Sequence, residues 1–155
     1  MIWTLRAFGD PSPKGSWEIY ALHAPLRYDG DCFYRIKDMA LKPSQGDRLR
    51  RWKHALEIAV LEAGRPKHPI AGCPVTVTCM FLMHRPAKPK DAQPIVAPDL
   101  DKLVRAVGDV LQGVYYANDS QIVAWKASKM YELDGNPGAI VAVEIDEKKQ
   151  LDFRE

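Results

Sequence analysis

Apolar residues recur along this chain with two periods, and the periods predict its elements. Val75, Val77, Cys79, Phe81 and Met83 alternate with Thr76, Thr78, Met80 and Leu82, which predicts a strand over Pro74–Met83. Both of its faces turn apolar toward the end, as expected of a strand in the middle of a sheet. Weaker alternation predicts strands at Ile2–Ala7, Trp17–His23 and Phe33–Ile36. Two more are expected at Gln121–Tyr131 and Ala139–Ile145, joined as a hairpin through the turn Asp134-Gly135-Asn136-Pro137-Gly138.

The helical period appears twice. Leu49, Trp52, Leu56, Ala59, Val60 and Ala63 fall on one face, after a cap at Ser44 and an early Asp47, and before Gly64 and Pro66. The opposite face carries Arg48, Arg50, Arg51, Lys53 and His54. It reads as a solvated surface in preference to a DNA contact, because charged outer faces are the rule for surface helices. A second helix is expected from Asp101 to Gln112, with Leu100, Leu103, Val104, Val107 and Leu111 as its stripe and Gly113 as its stop. Gly9 to Gly15 is a turn-rich loop, and His84 to Pro98 is a long, proline-rich, basic one, the kind that tends to carry function.

Strands interleaved with two main helices predict an α/β (α+β) fold with a mixed sheet. The 155 residues suit a single domain spanning 1–155, with a polar, frayed end from about residue 147.

Composition adds mainly exclusions. A net charge of +2 is too mild to identify a nucleic-acid partner by itself. Three cysteines without CxxC spacing and four scattered histidines show no zinc pattern, and Cys79 reads as a buried free thiol. No apolar stretch suits a membrane span, and the first residues do not resemble a signal peptide, so a cytoplasmic location is expected.

The chemistry candidate is Asp99-Leu100-Asp101 at a helix start, followed by Asn118-Asp119 after the helix ends. Asp99 and Asp101, two apart, can project to one side, and a return through Gly113–Ala117 would set Asp119 beside them. Converging carboxylates need a cation, and Mg²⁺ prefers such hard oxygen ligands. Arg105, four residues after Asp101 and four before Asp109, shares their helix face and could brace the acids or meet charge developing on a phosphate. The plainer alternative stays open: Asp101 as an N-cap, Asp99 as first-turn charge, Asn118-Asp119 as a turn, and Arg105 with Asp109 as an exposed ion pair.

The run Pro98-Asp99-Leu100-Asp101-Lys102-Leu103-Val104-Arg105-Ala106-Val107-Gly108-Asp109-Val110-Leu111-Gln112-Gly113-Val114, with Asn118-Asp119-Ser120-Gln121-Ile122-Val123, resembles the signature of the RusA family of Holliday junction resolvases, often carried by phages and prophages. Gly9 to Gly15 is similar to the family's N-terminal loop, and Lys129-Met130-Tyr131 with Asn136-Pro137-Gly138 to its closing hairpin. The resemblance implies a homodimeric nuclease dependent on Mg²⁺ or Mn²⁺ that nicks opposed strands of four-way junction DNA symmetrically. It implies that Asp99, Asp101 and Asp119 are the catalytic, metal-binding acids.

Two positions depart from the family pattern. Arg105 stands where the family usually has an essential lysine, and Lys102 where it usually has asparagine. Lys14, Arg85, Lys88, Lys90, Lys126 and Lys129 are candidate DNA contacts. The rival readings are a branched-DNA-binding protein that cuts poorly because of Arg105, a metal nuclease acting on flaps or duplex, and a small structural phage protein. A PD-(D/E)xK nuclease is set aside, since Asp119-Ser120-Gln121 lacks that motif's lysine.

Overall fold

In the computed structural model, residues 1–14, 17–28, 31–43 and 46–147 are described, with side chains described outside residues 15–45. The expected strand at Pro74–Met83 is β4 (Val75–Met83), after β1 (Ile2–Phe8) and before β5 (Ile122–Tyr131) and β6 (Gly138–Ile145). The four form one mixed sheet in the order β1-β6-β4-β5, in which only β4 and β5 run parallel. β2 (Trp17–Tyr28) and β3 (Asp31–Pro43) make a separate antiparallel ribbon. Both run well past the His23 and Ile36 limits that alternation marked. Ser44, the expected cap, and residues 148–155 of the expected frayed end lie outside the described residues.

The expected hairpin of the last two strands does not form. β4 lies between them, pairing with β5 on one side and with β6 on the other. The physical reason is that β4, whose Val75, Val77, Cys79 and Phe81 are all fully buried, takes a central place with a strand paired on each side. A parallel neighbour for it requires a crossover, which the 84–99 loop and α2 (Leu100–Leu111) supply. The link from β5 to β6 then passes the end of β4. There Glu132 N–H donates to the Met83 carbonyl at 2.9 Å, and the buried Glu132 carboxylate accepts from the Arg85 and Gly135 amides. Gly138 enters β6 so close to β1 that a Cβ would collide with the Ala7 carbonyl.

One face of the sheet carries the core. Leu5, Val75, Val77, Cys79, Phe81, Val141, Val143 and Ile145 are buried there, beneath Trp52, Leu56 and Val60 of α1 (Gly46–Ala63) and Leu103, Val107 and Leu111 of α2. The expected helical stripes are therefore the packed ones. Burial pushes the Cys79 thiol up to about 12, so this cysteine is an inert core residue. Among the described residues no helix is long and apolar enough to cross a membrane.

Candidate active site

The crossover from β4 to β5 presents the start of α2. Asp99 is its N-cap, in place of the expected Asp101, with extended backbone (φ −67°, ψ 138°). Its carboxylate makes no capping hydrogen bond. It accepts instead from Lys102 Nζ at 2.8 Å. That hydrogen bond and charge, with a smaller contribution from Lys129, hold the Asp99 carboxyl below its usual range. Asp101, in the first turn, is exposed and forms no ion pair among the described residues. Capping therefore accounts for neither acid, although both sit where a capping residue would be expected.

Lys129 fixes the approach to this pair from the sheet. Its Nζ donates to the carbonyls of Val96 at 2.7 Å and Pro98 at 3.0 Å, which bracket the last turn before Asp99. Sequence reasoning marked Lys129 only as a DNA contact. Beside this turn opens a cleft of about 560 Å³, lined by Met83, His84, Pro98 and Tyr131 together with Asp10 and Arg48.

Asp119 is presented by a different device. Residues Asp119–Gln121 form a single 3₁₀ turn whose N-cap, Asn118, accepts from Ser120 N–H at 2.9 Å. Gln121 locks the turn. Its Oε1 accepts from the Ala117 and Asn118 amides, both at 3.0 Å, and its Nε2 donates to the Ile70 and Cys73 carbonyls at 3.1 and 3.0 Å. All of the amide's main hydrogen-bonding capacity is spent on holding this loop. Asp119 itself is exposed and lies against the Tyr116 phenol. Burial first, then the Asp119 charge, push the Tyr116 hydroxyl far above its ordinary range.

The return through Gly113–Ala117 does not carry Asp119 to Asp99. The Tyr116 hydroxyl donates to the Gly108 carbonyl at 3.4 Å, and Trp125 packs on Gly108, so the Asp119 turn lies by the far end of α2. A 12-residue helix at 1.5 Å per residue puts about 18 Å between its ends. Accordingly, among the described residues no three His, Cys, Asp or Glu side chains stand close enough to share a metal ion.

Arg105 and Asp109 do not pair with each other. Asp109 is bridged by Lys14 of the N-terminal loop and Lys53 of α1, each at 2.8 Å. Burial raises the Asp109 carboxyl, but the hydrogen bonds from Lys14 and Lys53 outweigh it and hold the group below its ordinary value. Arg105 stays exposed, with no ion pair among the described residues. Of the expected DNA contacts, Arg85, Lys88, Lys90 and Lys126 are exposed, while Lys14 and Lys129 have their ammonium groups engaged within the fold.

The donor set fits a hard divalent cation in chemistry. Asp99 and Asp101 are oxygen donors at one helix end with no capping duty, and Mg²⁺ is commonly held by one or two carboxylates plus waters and substrate phosphates. The family model for endodeoxyribonuclease RusA matches residues 34–144, which include α1, α2 and all three aspartates. No curated protein matches the chain. A match over more than two thirds of the chain places this protein in the RusA endodeoxyribonuclease family.

Proposed function

We propose that the protein is a metal-dependent, structure-selective endonuclease that resolves four-way DNA junctions by paired, symmetric nicks. The observation that carries this reading is the pair Asp99 and Asp101, two carboxylates at the start of α2, of which the N-cap residue Asp99 makes no side-chain capping hydrogen bond. Acids placed there without a structural duty are available to a ligand.

Asp99 and Asp101 would hold Mg²⁺ or Mn²⁺, and Asp119, at the far end of α2, is the further acid that the family resemblance implies. When bound, the ion supplies Lewis-acid polarisation of the phosphodiester and lowers the pKa of an attacking water. The chain does the remaining work. Lys129 orients the turn before Asp99, and Gln121 fixes the turn that presents Asp119. Arg105 is a permanently charged donor beside the acids, suited to charge that develops on phosphate oxygens. Lys102 neutralises Asp99 until a cation replaces it. Arg85, Lys88, Lys90 and Lys126 offer phosphate contacts that position DNA without reading its sequence, and Lys14 and Lys129 add to the local positive field. A homodimer would present two equal sites to a substrate of matching two-fold symmetry.

The test is to offer a synthetic four-way junction and a linear duplex of the same sequence, with Mg²⁺ or Mn²⁺. Nicks confined to the junction and abolished by chelation are expected. Equal cutting of the duplex would remove the junction-resolving part. A second reading, a branched-DNA-binding protein that cuts poorly, is favoured by Arg105 in place of the family's lysine. Tight junction binding without cleavage in either metal would select it.

A further inference from the structure

We infer that the protein holds one unstacked, amino-bearing DNA base in a recess between the Gly9 turn, the start of α1 and the turn before Asp99. The inference rests on the proposed nuclease reading and adds to it how a strand is gripped beside the acids.

Three observations carry it. First, two cavities adjoin there. One, of about 320 Å³, is lined by Phe8, Arg51 and Trp52. The other is the cleft of about 560 Å³ whose walls include Met83, Pro98 and Tyr131. Asp10 and Arg48 line both, so the recess runs from Trp52 to the residue that precedes Asp99. Each volume lies within the range of about 300–1,000 Å³ usual for small-ligand sites.

Second, the recess holds polar groups that the fold leaves unused. Trp52 is 2% exposed, yet its indole Nε1–H is buried with no acceptor among the described residues. A buried donor is costly unless something accepts from it. Arg48 lies four residues before Trp52, one turn away on the same face of α1. Neither Asp10 nor Arg48 forms an ion pair among the described residues, although the two line the same space. The turn that carries Asp10 is fixed, since the Gly9 amide donates to the Pro137 carbonyl at 2.9 Å.

Third, this set suits a base better than a phosphate. The Asp10 carboxylate would repel an anion that the arginines attract. Cytosine, adenine and guanine each carry an amino donor close to ring-nitrogen or carbonyl acceptors. Asp10 accepts from the amino group, while Arg48 and Trp52 Nε1 donate to the acceptors. Thymine has no amino group and would set carbonyl oxygens against the carboxylate. The flat faces of a base match the aromatic walls, because stacking on aromatic side chains is favourable for every base. Phe8 offers such a wall: Arg6 covers its ring at 4.8 Å from the centre, yet the residue is still 58% exposed. A strand with a phosphate at Asp99 carries its neighbouring base past Pro98, and unstacking costs least at a branch, where pairing is already interrupted.

The Trp52 indole N–H resonance of the ¹⁵N-labelled full chain tests this, with deoxynucleoside 5′-monophosphates added in metal-free buffer. The resonance is assigned through its own ring, so no substitution in the core is needed. It is expected to shift with dCMP, dAMP and dGMP, and dTMP and inorganic phosphate are expected to bind at least about tenfold more weakly. Asp10→Asn and Arg48→Gln, both at exposed positions, should each weaken dCMP binding about tenfold. An equal response to dTMP or to inorganic phosphate alone would overturn the inference, as would unchanged affinity in both variants or no shift with any nucleotide. The titration involves no cleavage, so the two readings fail separately. A protein that cuts junctions while its Trp52 signal ignores nucleotides loses this site alone. One that shows the shifts but cuts no DNA keeps the base site and loses the nuclease reading.

Discussion

The ammonium of Lys129 lies 3.0 Å from the carbonyl oxygen of Pro98, the residue immediately before Asp99. A second donation, to Val96 at 2.7 Å, makes the lysine a clasp between the sheet and the turn that aims the first acid. Its role is thus to position Asp99, which separates it from a lysine that merely touches phosphate. Lys129→Met keeps the alkyl stem and removes both donations. The expected outcome is a tenfold or larger fall in single-turnover cleavage with junction Kd changed less than about threefold, consistent with small misplacements costing up to about 10²-fold. A rise in Kd with an unchanged cleavage rate would instead make Lys129 a phosphate contact.

On the proposed metal-dependent reading, Lys102 would compete with the metal for Asp99. Its Nζ sits 2.8 Å from the Asp99 carboxylate, where the family usually has an uncharged asparagine. Lys102→Asn is therefore expected to lower the half-saturating Mg²⁺ concentration several-fold, most clearly at low salt, where exposed charges are least screened. Metal titrations of cleavage at two ionic strengths measure this, and no change would show that the pair opens without cost.

Arg105 is the one cation on the acidic face of α2 without an ion-pair partner among the described residues. Arg105→Ala is expected to reduce cleavage by about 10²–10³-fold, the usual consequence of losing one donor to developing charge. Arg105→Lys, which restores the family's residue, should leave activity unchanged or raise it. A large loss in the lysine variant would mean that the site has adapted to a planar guanidinium.

Asp109 links stability to pH. Its carboxyl is held below the ordinary value by Lys14 and Lys53, so the folded state binds its proton less readily than the unfolded chain does. The resulting stabilisation is fully present above the unfolded pKa of about 3.9 and is lost as pH falls through the folded value. Asp109→Asn is expected to cost about 1–2 kcal/mol near neutral pH and to lower Tm by about 3–8 °C. Wild type and variant should converge once pH falls below the lowered folded value. Thermal unfolding followed across pH 2–7 checks both statements, and a constant difference at every pH would contradict the linkage.

Much of the fold was legible because it is written in local periods. Val75 to Phe81 and Leu103 to Leu111 are packed as their spacing implies. Strand neighbours were less legible, since β4 separates β5 from β6 through the competition of whole strands for the sheet centre, which a turn between Asp134 and Gly138 does not encode. At the site, the acids could be named from the sequence, but their separation could not. That depends on α2 running its full length alongside β5 before the turn at Asn118. The partners of Asp109 were missed for a similar reason: Arg105 is near it in sequence, whereas Lys14 and Lys53 reach it only through the packing of two other segments. Gln121 carried a weak signal, as the residue that closes the Asn118 capping box.

The central claim is that the acids at the head of α2 cut branched DNA. Its most direct measurement is strand-resolved mapping of cuts in a synthetic four-way junction, using wild type and Asp101→Asn with Mg²⁺ or Mn²⁺. Nicks at symmetric positions on two opposed strands, absent in the variant although it still binds the junction, are the expected result. Cleavage retained by Asp101→Asn would contradict the account.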